Sequence, residues 1–150
     1  MLTNKNEADD KDLGTTDQEI QKKLDSAGAD FVRAGAKKIT NEDVEEVVDK
    51  AEDIKKKFSR KGPLGRFIED GQLLISLVKD YWAGKYRRIP VMAIAAIVFT
   101  LLYVLNPFDL VPDFLPVIGQ LDDAAVITIC LLLVEQELHN YRTWMVDPKS

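Results

Sequence analysis

The stretch IPVMAIAAIVFTLLYVL, residues 89–105, contains no charged side chain and is apolar on every face of a helix. Pro90 suits the first turn of a helix, because a proline there gives up no intrahelical hydrogen bond. A helix of this length is about 25 Å long, close to the lower limit for crossing a bilayer core of about 30 Å. The stretch therefore predicts a helix that is buried, either in protein or in a membrane.

A second apolar run, AAVITICLLLV, covers residues 124–134 and is too short to cross a bilayer alone. Beyond it, Leu138, Tyr141 and Met145 continue one helical face, so we expect a last helix from Asp122 to about Trp144. The two runs together predict an apolar helical hairpin.

The N-terminal half is amphipathic. Residues 1–16 are polar without periodicity and predict a disordered tail. Apolar side chains then recur at helical spacing in three segments, at residues 17–38, 44–58 and 64–82. Thr40 and Asp43 have the spacing of a capping box at the start of the second helix. Gly84 follows the third segment and predicts its end. The predicted fold is all-α, with an amphipathic arm at residues 17–84 and a hairpin domain at residues 85–146.

An Asp- and Pro-rich connector, NPFDLVPDFLPVIGQLDD at residues 106–123, joins the two apolar runs. Its characteristic positions, in order along the chain, are Pro107, Asp109, Pro112 and Asp113, then Pro116 and Gly119, then Asp122 and Asp123. This order and spacing, across about residues 86–134, resemble the YkvA-like family of bacterial domains of unknown function. The resemblance implies a helical, often membrane-associated domain, and it implies no activity or catalytic residue.

Two interpretations of the connector carboxylates stay open. As structural caps, Asp109, Asp122 and Asp123 would accept hydrogen bonds from free N–H groups at helix starts. As ligands, Asp109 and Asp113 would share a helical face and, with Asp122 and Asp123, bind magnesium or calcium. The same carboxylates at membrane depth also suit ion conduction, although two short helices offer little pathway.

Composition argues against several other functions. The net charge of −5 disfavours nucleic acid as a partner, and one cysteine excludes an internal disulfide. Cys130 lies in an apolar run and predicts a small buried side chain, whereas His139 predicts a solvated helix position. Neither a phosphate-binding loop nor a nucleophile elbow is present, so we expect no enzyme activity and no cofactor.

Basic residues mark one end of the first apolar stretch. Lys85, Arg87 and Arg88 precede it, while residues 89–134 carry no Lys or Arg, so the positive-inside rule predicts a cytoplasmic N-terminus. The start of the chain shows no secretory signal, in agreement with this side. The aromatic residues Tyr81, Trp82 and Tyr86 fit a membrane interface or core packing equally well.

Three functional classes follow. The first is a membrane protein, integral or tightly associated, with a structural or protein-interaction role. The second is a soluble helical module that assembles as a homo-oligomer. The third is a divalent-cation-binding protein that uses the connector carboxylates.

Overall fold

The computed structural model describes residues 27–106 and 122–149. Within these ranges every regular element is helical, which confirms the predicted all-α class. The elements in chain order are α1 (27–37), α2 (Asn41–Asp49), α3 (Ala51–Lys57), a 3₁₀ turn (Gly65–Phe67), α4 (Ile68–Trp82), α5 (Val91–Leu105), α6 (Asp123–Leu133) and α7 (Glu135–Val146).

The start of α2 carries the predicted capping box. The Thr40 hydroxyl accepts from the Asp43 amide at 3.3 Å, and the Asp43 carboxylate accepts from the Thr40 amide at 2.8 Å. The helix expected to continue to Phe58 is instead divided at Lys50, whose ψ of 18° leaves the helical range. Because of this bend, α2 and α3 both pack on α5. The division of the helix therefore follows from core packing, and the apolar spacing of residues 44–58 does not reveal it.

Helix α5 forms the centre of the core. Every side chain from Ile94 to Val104 is buried, and α2, α3, α4 and α6 pack around it. The Thr100 hydroxyl donates to the Ala96 carbonyl oxygen at 2.9 Å, so this buried polar group is satisfied within the helix. The burial predicted for the apolar stretch is therefore supplied largely by the protein's own helices.

No helix in the described ranges combines the length and the apolar character needed to span a bilayer. The two apolar helices, α5 and α6, have 15 and 11 residues. Residues 89–105, whose length was close to the lower limit for crossing a bilayer, thus form no membrane-spanning helix in the described part of the chain.

The predicted last helix, from Asp122 to Trp144, is divided into α6 and α7 at Val134. Val134 is buried, and the two helices have different partners, since α6 packs on α5 and α7 packs on α4. A straight helix would serve only one of these contacts. The change of direction again follows from packing between distant segments.

Helix α4 is followed, as predicted, by a turn that contains Gly84. The Gly84 amide donates to the Tyr81 carbonyl oxygen at 3.1 Å, and the Lys85 amide donates to that of Asp80 at 2.9 Å. This is the Schellman pattern, and it places Gly84 at a φ of 79°, where a side chain is strained. The turn directs Tyr86 into the core.

The hydrophobic core is continuous across the predicted boundary at residue 84. It joins Phe31 and Val47 from the N-terminal helices to Phe99 and Ile127 from the apolar ones. The boundaries proposed for the arm and the hairpin domain stay a prediction, and the tail at residues 1–16 lies outside the described residues.

Candidate functional site

Most of the connector lies outside the described residues. This applies to five of the signature positions and to Pro116, so the structure does not locate them: Pro107, Asp109, Pro112, Asp113 and Gly119. The signature positions that the structure does place are Asp122 and Asp123, at the start of α6.

Asp122 is the N-cap residue of α6. Its backbone is extended, and its Oδ1 accepts from the Ala125 amide at 2.8 Å. Asp123 lies in the first helical turn, where a negative charge faces the positive end of the helix. In these positions both carboxylates stabilise the N-terminal end of α6.

Asp123 is partly buried, and its ionisation is perturbed accordingly. Burial raises the pKa of the Asp123 carboxyl, the cation of Lys57 opposes this change, and the neighbouring Asp122 adds to it. Among residues 27–106 and 122–149, no group of three or more His, Cys, Asp or Glu side chains is placed to hold a metal ion. A cation site that includes Asp109 and Asp113 stays a prediction.

Substitutions of Asp122 separate capping from cation binding. Because Asn and Ser also cap helices, Asp122→Asn and Asp122→Ser should preserve stability, while Asp122→Ala should lower the free energy of unfolding by about 0.5–2 kcal/mol. Thermal unfolding followed by circular dichroism measures this difference. A melting temperature that rises with magnesium or calcium, and no longer does so in Asp122→Asn, would contradict a capping role alone.

Cys130 and His139 have the surroundings expected from the sequence. Cys130 is fully buried, and burial raises the pKa of its thiol to about 12, which keeps the nucleophilic thiolate scarce. His139 is exposed on α7.

A hydrogen-bonded group that the sequence did not reveal connects α4 to α7. The Tyr141 hydroxyl donates to Asp80 Oδ2 at 2.5 Å and lies 2.7 Å from the Ser76 hydroxyl, which therefore donates to it. Burial raises the pKa of Tyr141, and the bond to Asp80 raises it further. Because the helical periodicity of α7 marked Tyr141 only as apolar, its polar partners required the tertiary structure.

Tyr86 lies directly beside this group. Its ring contacts those of Tyr141 and Trp144, with centroids 5.1 and 5.0 Å away. Of the two interpretations offered for this residue, a membrane interface or core packing, the structure therefore shows core packing. Its hydroxyl is the one buried side-chain polar atom in the described residues that lacks a hydrogen-bond partner. Burial and Glu137 raise the pKa of Tyr86, while Arg88 lowers it.

The exposed surface around Tyr86 combines basic and apolar side chains. Lys85, Arg87 and Arg88 are all exposed, and the Arg87 guanidinium lies 4.3 Å from the centre of the Tyr81 ring. Large apolar side chains are exposed at the last residue of α4, at the start of α5 and at the end of α7, immediately after Trp144. We call this surface the basic corner; its members are Trp82, Lys85, Arg87, Arg88, Val91, Met92, Met145 and Val146.

A pocket opens next to the basic corner, between the α4–α5 linker and α7. Its volume is about 300 Å³, and the residues that line it are Tyr86, Arg88, His139, Asn140, Thr143 and Trp144. No Asp or Glu of the described residues is among them. The pocket thus combines one permanent cation with several hydrogen-bonding groups and two aromatic walls.

Comparison with known proteins connects the apolar helices and the connector to a family. A family described as "Protein of unknown function (DUF1232)" matches residues 93–129. The chain is 31% identical over 71 residues to the "Uncharacterized membrane protein YkvA" of Bacillus subtilis (strain 168), across 47% of this chain and 67% of that relative. No solved structure matches the chain significantly. The chain therefore belongs to the YkvA-like family of domains of unknown function, as its connector predicted.

Proposed function

We propose that this protein is a membrane-associated structural or interaction module that docks on an anionic bilayer surface through the basic corner and catalyses no reaction. The observation that carries the proposal is the exposure of large apolar side chains beside three basic residues. Val91 is 72% exposed and Met92 42%, and they follow Arg88 by three and four residues. Large apolar side chains of soluble domains are more often buried, so such a cluster needs a partner.

An anionic bilayer suits both chemical components of this surface. Exposed apolar side chains gain free energy when they enter the acyl boundary, and Lys or Arg near a negatively charged leaflet contributes about 1 kcal/mol each. Trp82, which is partly exposed at the same corner, is a residue type that is stable at the headgroup level. The name of the Bacillus relative, a membrane protein, supports the same setting.

Vesicle co-sedimentation of the full chain tests the proposal. Vesicles of phosphatidylcholine with phosphatidylglycerol should bind the protein, pure phosphatidylcholine should bind it weakly, and added salt should weaken binding. The double variant Val91→Ser/Met92→Ser should bind at least about tenfold more weakly, because fully burying one such side chain contributes about 1.5–3 kcal/mol. The double variant Lys85→Gln/Arg87→Gln should lose about fivefold per charge.

Matched controls lie at the other end of α4. Arg60 and Lys61 are exposed in the segment before α4, a helix about 22 Å long at about 1.5 Å per residue. Arg60→Gln/Lys61→Gln removes the same charge and should leave vesicle binding nearly unchanged. Equal losses in the two charge variants, or equal binding to neutral and anionic vesicles, would disprove docking through the basic corner.

A homo-oligomer is the second candidate, and Leu132 favours it. This α6 side chain is 67% exposed and lies at a cavity of about 250 Å³ whose apolar lining includes Phe67, Leu131 and Leu138. A second copy of the chain would cover this surface. In that case Leu132→Ser should lower the sedimenting mass in buffer, whereas membrane docking predicts no change in vesicle binding for this variant.

A further inference from the structure

A second basic surface lies between α3 and α4. Six of the twelve residues at 55–66, KKKFSRKGPLGR, are Lys or Arg, and none is Asp or Glu. Four of these cations are exposed and form no ion pair with any described residue; we call them the basic turn, which consists of Lys57, Arg60, Lys61 and Arg66. The dipole of α3 favours a cation in its last turn, but three of the four lie beyond this helix. A helix end therefore does not account for this concentration of positive charge.

The backbone that carries the basic turn is compact. The Gly62 amide donates to the Ser59 carbonyl oxygen at 2.9 Å. Gly65 lies directly against Arg60, since a Cβ added to this glycine would come within 2.7 Å of the Arg60 carbonyl oxygen. Arg66 follows one residue after this contact, so the fold brings the two arginines close together. Cations that the fold already holds in place lose less conformational entropy when they bind a ligand.

The surroundings of the basic turn differ from those of the basic corner. In the segment from α3 to the start of α4 no large apolar side chain is exposed, whereas the basic corner carries several. Phe58 and Phe67 are buried, and the Arg66 guanidinium lies 4.7 Å from the centre of the Phe67 ring. The basic turn thus offers neither the apolar contacts that suit a bilayer nor the exposed rings on which nucleotide bases stack.

The two basic surfaces also lie towards different ends of α5. The positive charge of Lys57 lowers the pKa of Asp123, and the negative charge of Asp123 raises the pKa of Tyr103, which is in the last turn of α5. Val91 of the basic corner is the first residue of this helix, about 18 Å from Tyr103 at about 1.5 Å per residue. Docking through the basic corner would therefore leave the basic turn accessible to a soluble partner.

We propose that the basic turn binds an acidic segment of a partner polypeptide. The guanidinium groups of Arg60 and Arg66 are planar forks that suit carboxylates, and Lys57 and Lys61 add two further charges. A run of Asp and Glu supplies several carboxylates at short spacing and needs no apolar contact. This surface is separate from the basic corner, so binding of the partner goes beyond membrane docking and does not depend on it.

Fluorescence anisotropy of a labelled dodecapeptide of alternating Glu and Ser tests the proposal on the full chain without lipid. Wild-type protein should bind this peptide and not the matched peptide of Gln and Ser, and added salt should weaken binding. Arg60→Gln/Lys61→Gln should lower the affinity by about tenfold, because it removes two of the four cations. Lys85→Gln/Arg87→Gln removes the same charge from the basic corner and should leave the affinity nearly unchanged. Equal losses in the two variants would overturn the assignment.

Gly65→Ala tests whether the fold of the segment matters as well as its charge. The added Cβ would displace the backbone of Arg60, so the peptide affinity should fall by about threefold or more, the cost of ordering one long side chain, although no charge changes. Gly62→Ala is the matched control, since the nearest atom to its Cβ is 3.5 Å away. Circular dichroism checks that both variants are folded. Unchanged affinity in a folded Gly65→Ala would overturn a site built by the turn.

Other occupants of the basic turn give distinct outcomes. If polyuridylate or anionic vesicles bind more tightly than the peptide, and Arg60→Gln/Lys61→Gln abolishes that binding, the ligand is not a polypeptide. A rise in peptide affinity in Asp9→Asn/Asp10→Asn/Asp12→Asn would identify the chain's own N-terminal segment as the occupant, and a sedimenting dimer that Arg60→Gln/Lys61→Gln dissociates would identify a second copy. Each of these results would overturn the proposal.

The peptide and vesicle assays report on the two surfaces separately. If vesicles bind the protein and the acidic peptide does not, the basic turn proposal fails and membrane docking stands. If the peptide binds and vesicles do not, the reverse holds.

Discussion

Phe99→Ala is expected to lower the free energy of unfolding by about 3–5 kcal/mol, the usual cost of removing a buried phenylalanine. Phe99 lies in the middle of α5 and is almost fully buried. Its ring makes an edge contact with Phe31, at a centroid distance of 5.2 Å, and a tilted one with Tyr103 at 6.3 Å. The variant loses the ring's transfer free energy and leaves a cavity between α5 and α1, which rigid neighbours fill only in part.

Chemical denaturation followed by circular dichroism measures the loss. A loss of this size is a large fraction of the whole free energy of unfolding of a small domain, which is about 5–15 kcal/mol. Met92→Ala on the same helix is the control, because Met92 is substantially exposed and its truncation should change stability by about 0.5 kcal/mol or less. Similar costs for the two variants would show that α5 is not buried as described.

Gly35→Ala is the second substitution with a large expected effect, and whether it raises or lowers the free energy of unfolding is informative. Within a helix, alanine is normally more stable than glycine by about 1 kcal/mol. At Gly35, however, an added Cβ would overlap the edge of the Phe99 ring, which packed neighbours hold in place. Overpacking of this kind costs about 1–3 kcal/mol, so we expect net destabilisation.

A double-mutant cycle tests this contact directly. In a Phe99→Leu background the ring is absent, so Gly35→Ala should cost less or become stabilising. Gly62→Ala serves as the control, since its Cβ would meet nothing closer than the Ser59 carbonyl oxygen at 3.5 Å. If Gly35→Ala raised the stability of the wild-type protein, α1 and α5 would be farther apart than the structure has them.

Both substitutions also bear on function. If α5 is held by the other helices, core variants should lower stability while the folded fraction still binds vesicles through the basic corner. Val91→Ser/Met92→Ser should show the reverse, with normal stability and weak vesicle binding. The two sets of variants therefore separate the part of α5 that forms the core from the part that meets a partner.

The amino-acid sequence is sufficient to predict the fold class, several helix ends and the family. These properties depend on residues that are close along the chain: the spacing of apolar side chains, the Thr40 and Asp43 capping box, and Gly84 at the end of α4. The spacing of Pro, Asp and Gly in the connector likewise identifies the family. Local hydrogen bonding and backbone sterics are sufficient to specify the helix ends at Thr40 and Gly84.

How the helices divide, and where a binding surface forms, depends on tertiary packing. The breaks at Lys50 and Val134 allow neighbouring segments to pack on different partners, which no local pattern records. Packing also separates the aromatic residues, because Tyr86 is buried against Trp144 while Trp82 stays partly exposed. The pocket exists because the Schellman turn at Gly84 brings Tyr86 and Arg88 against α7, far along the chain. Burial and contacts between distant residues depend on the packing of the whole chain, so the periodicity of a single helix cannot reveal them.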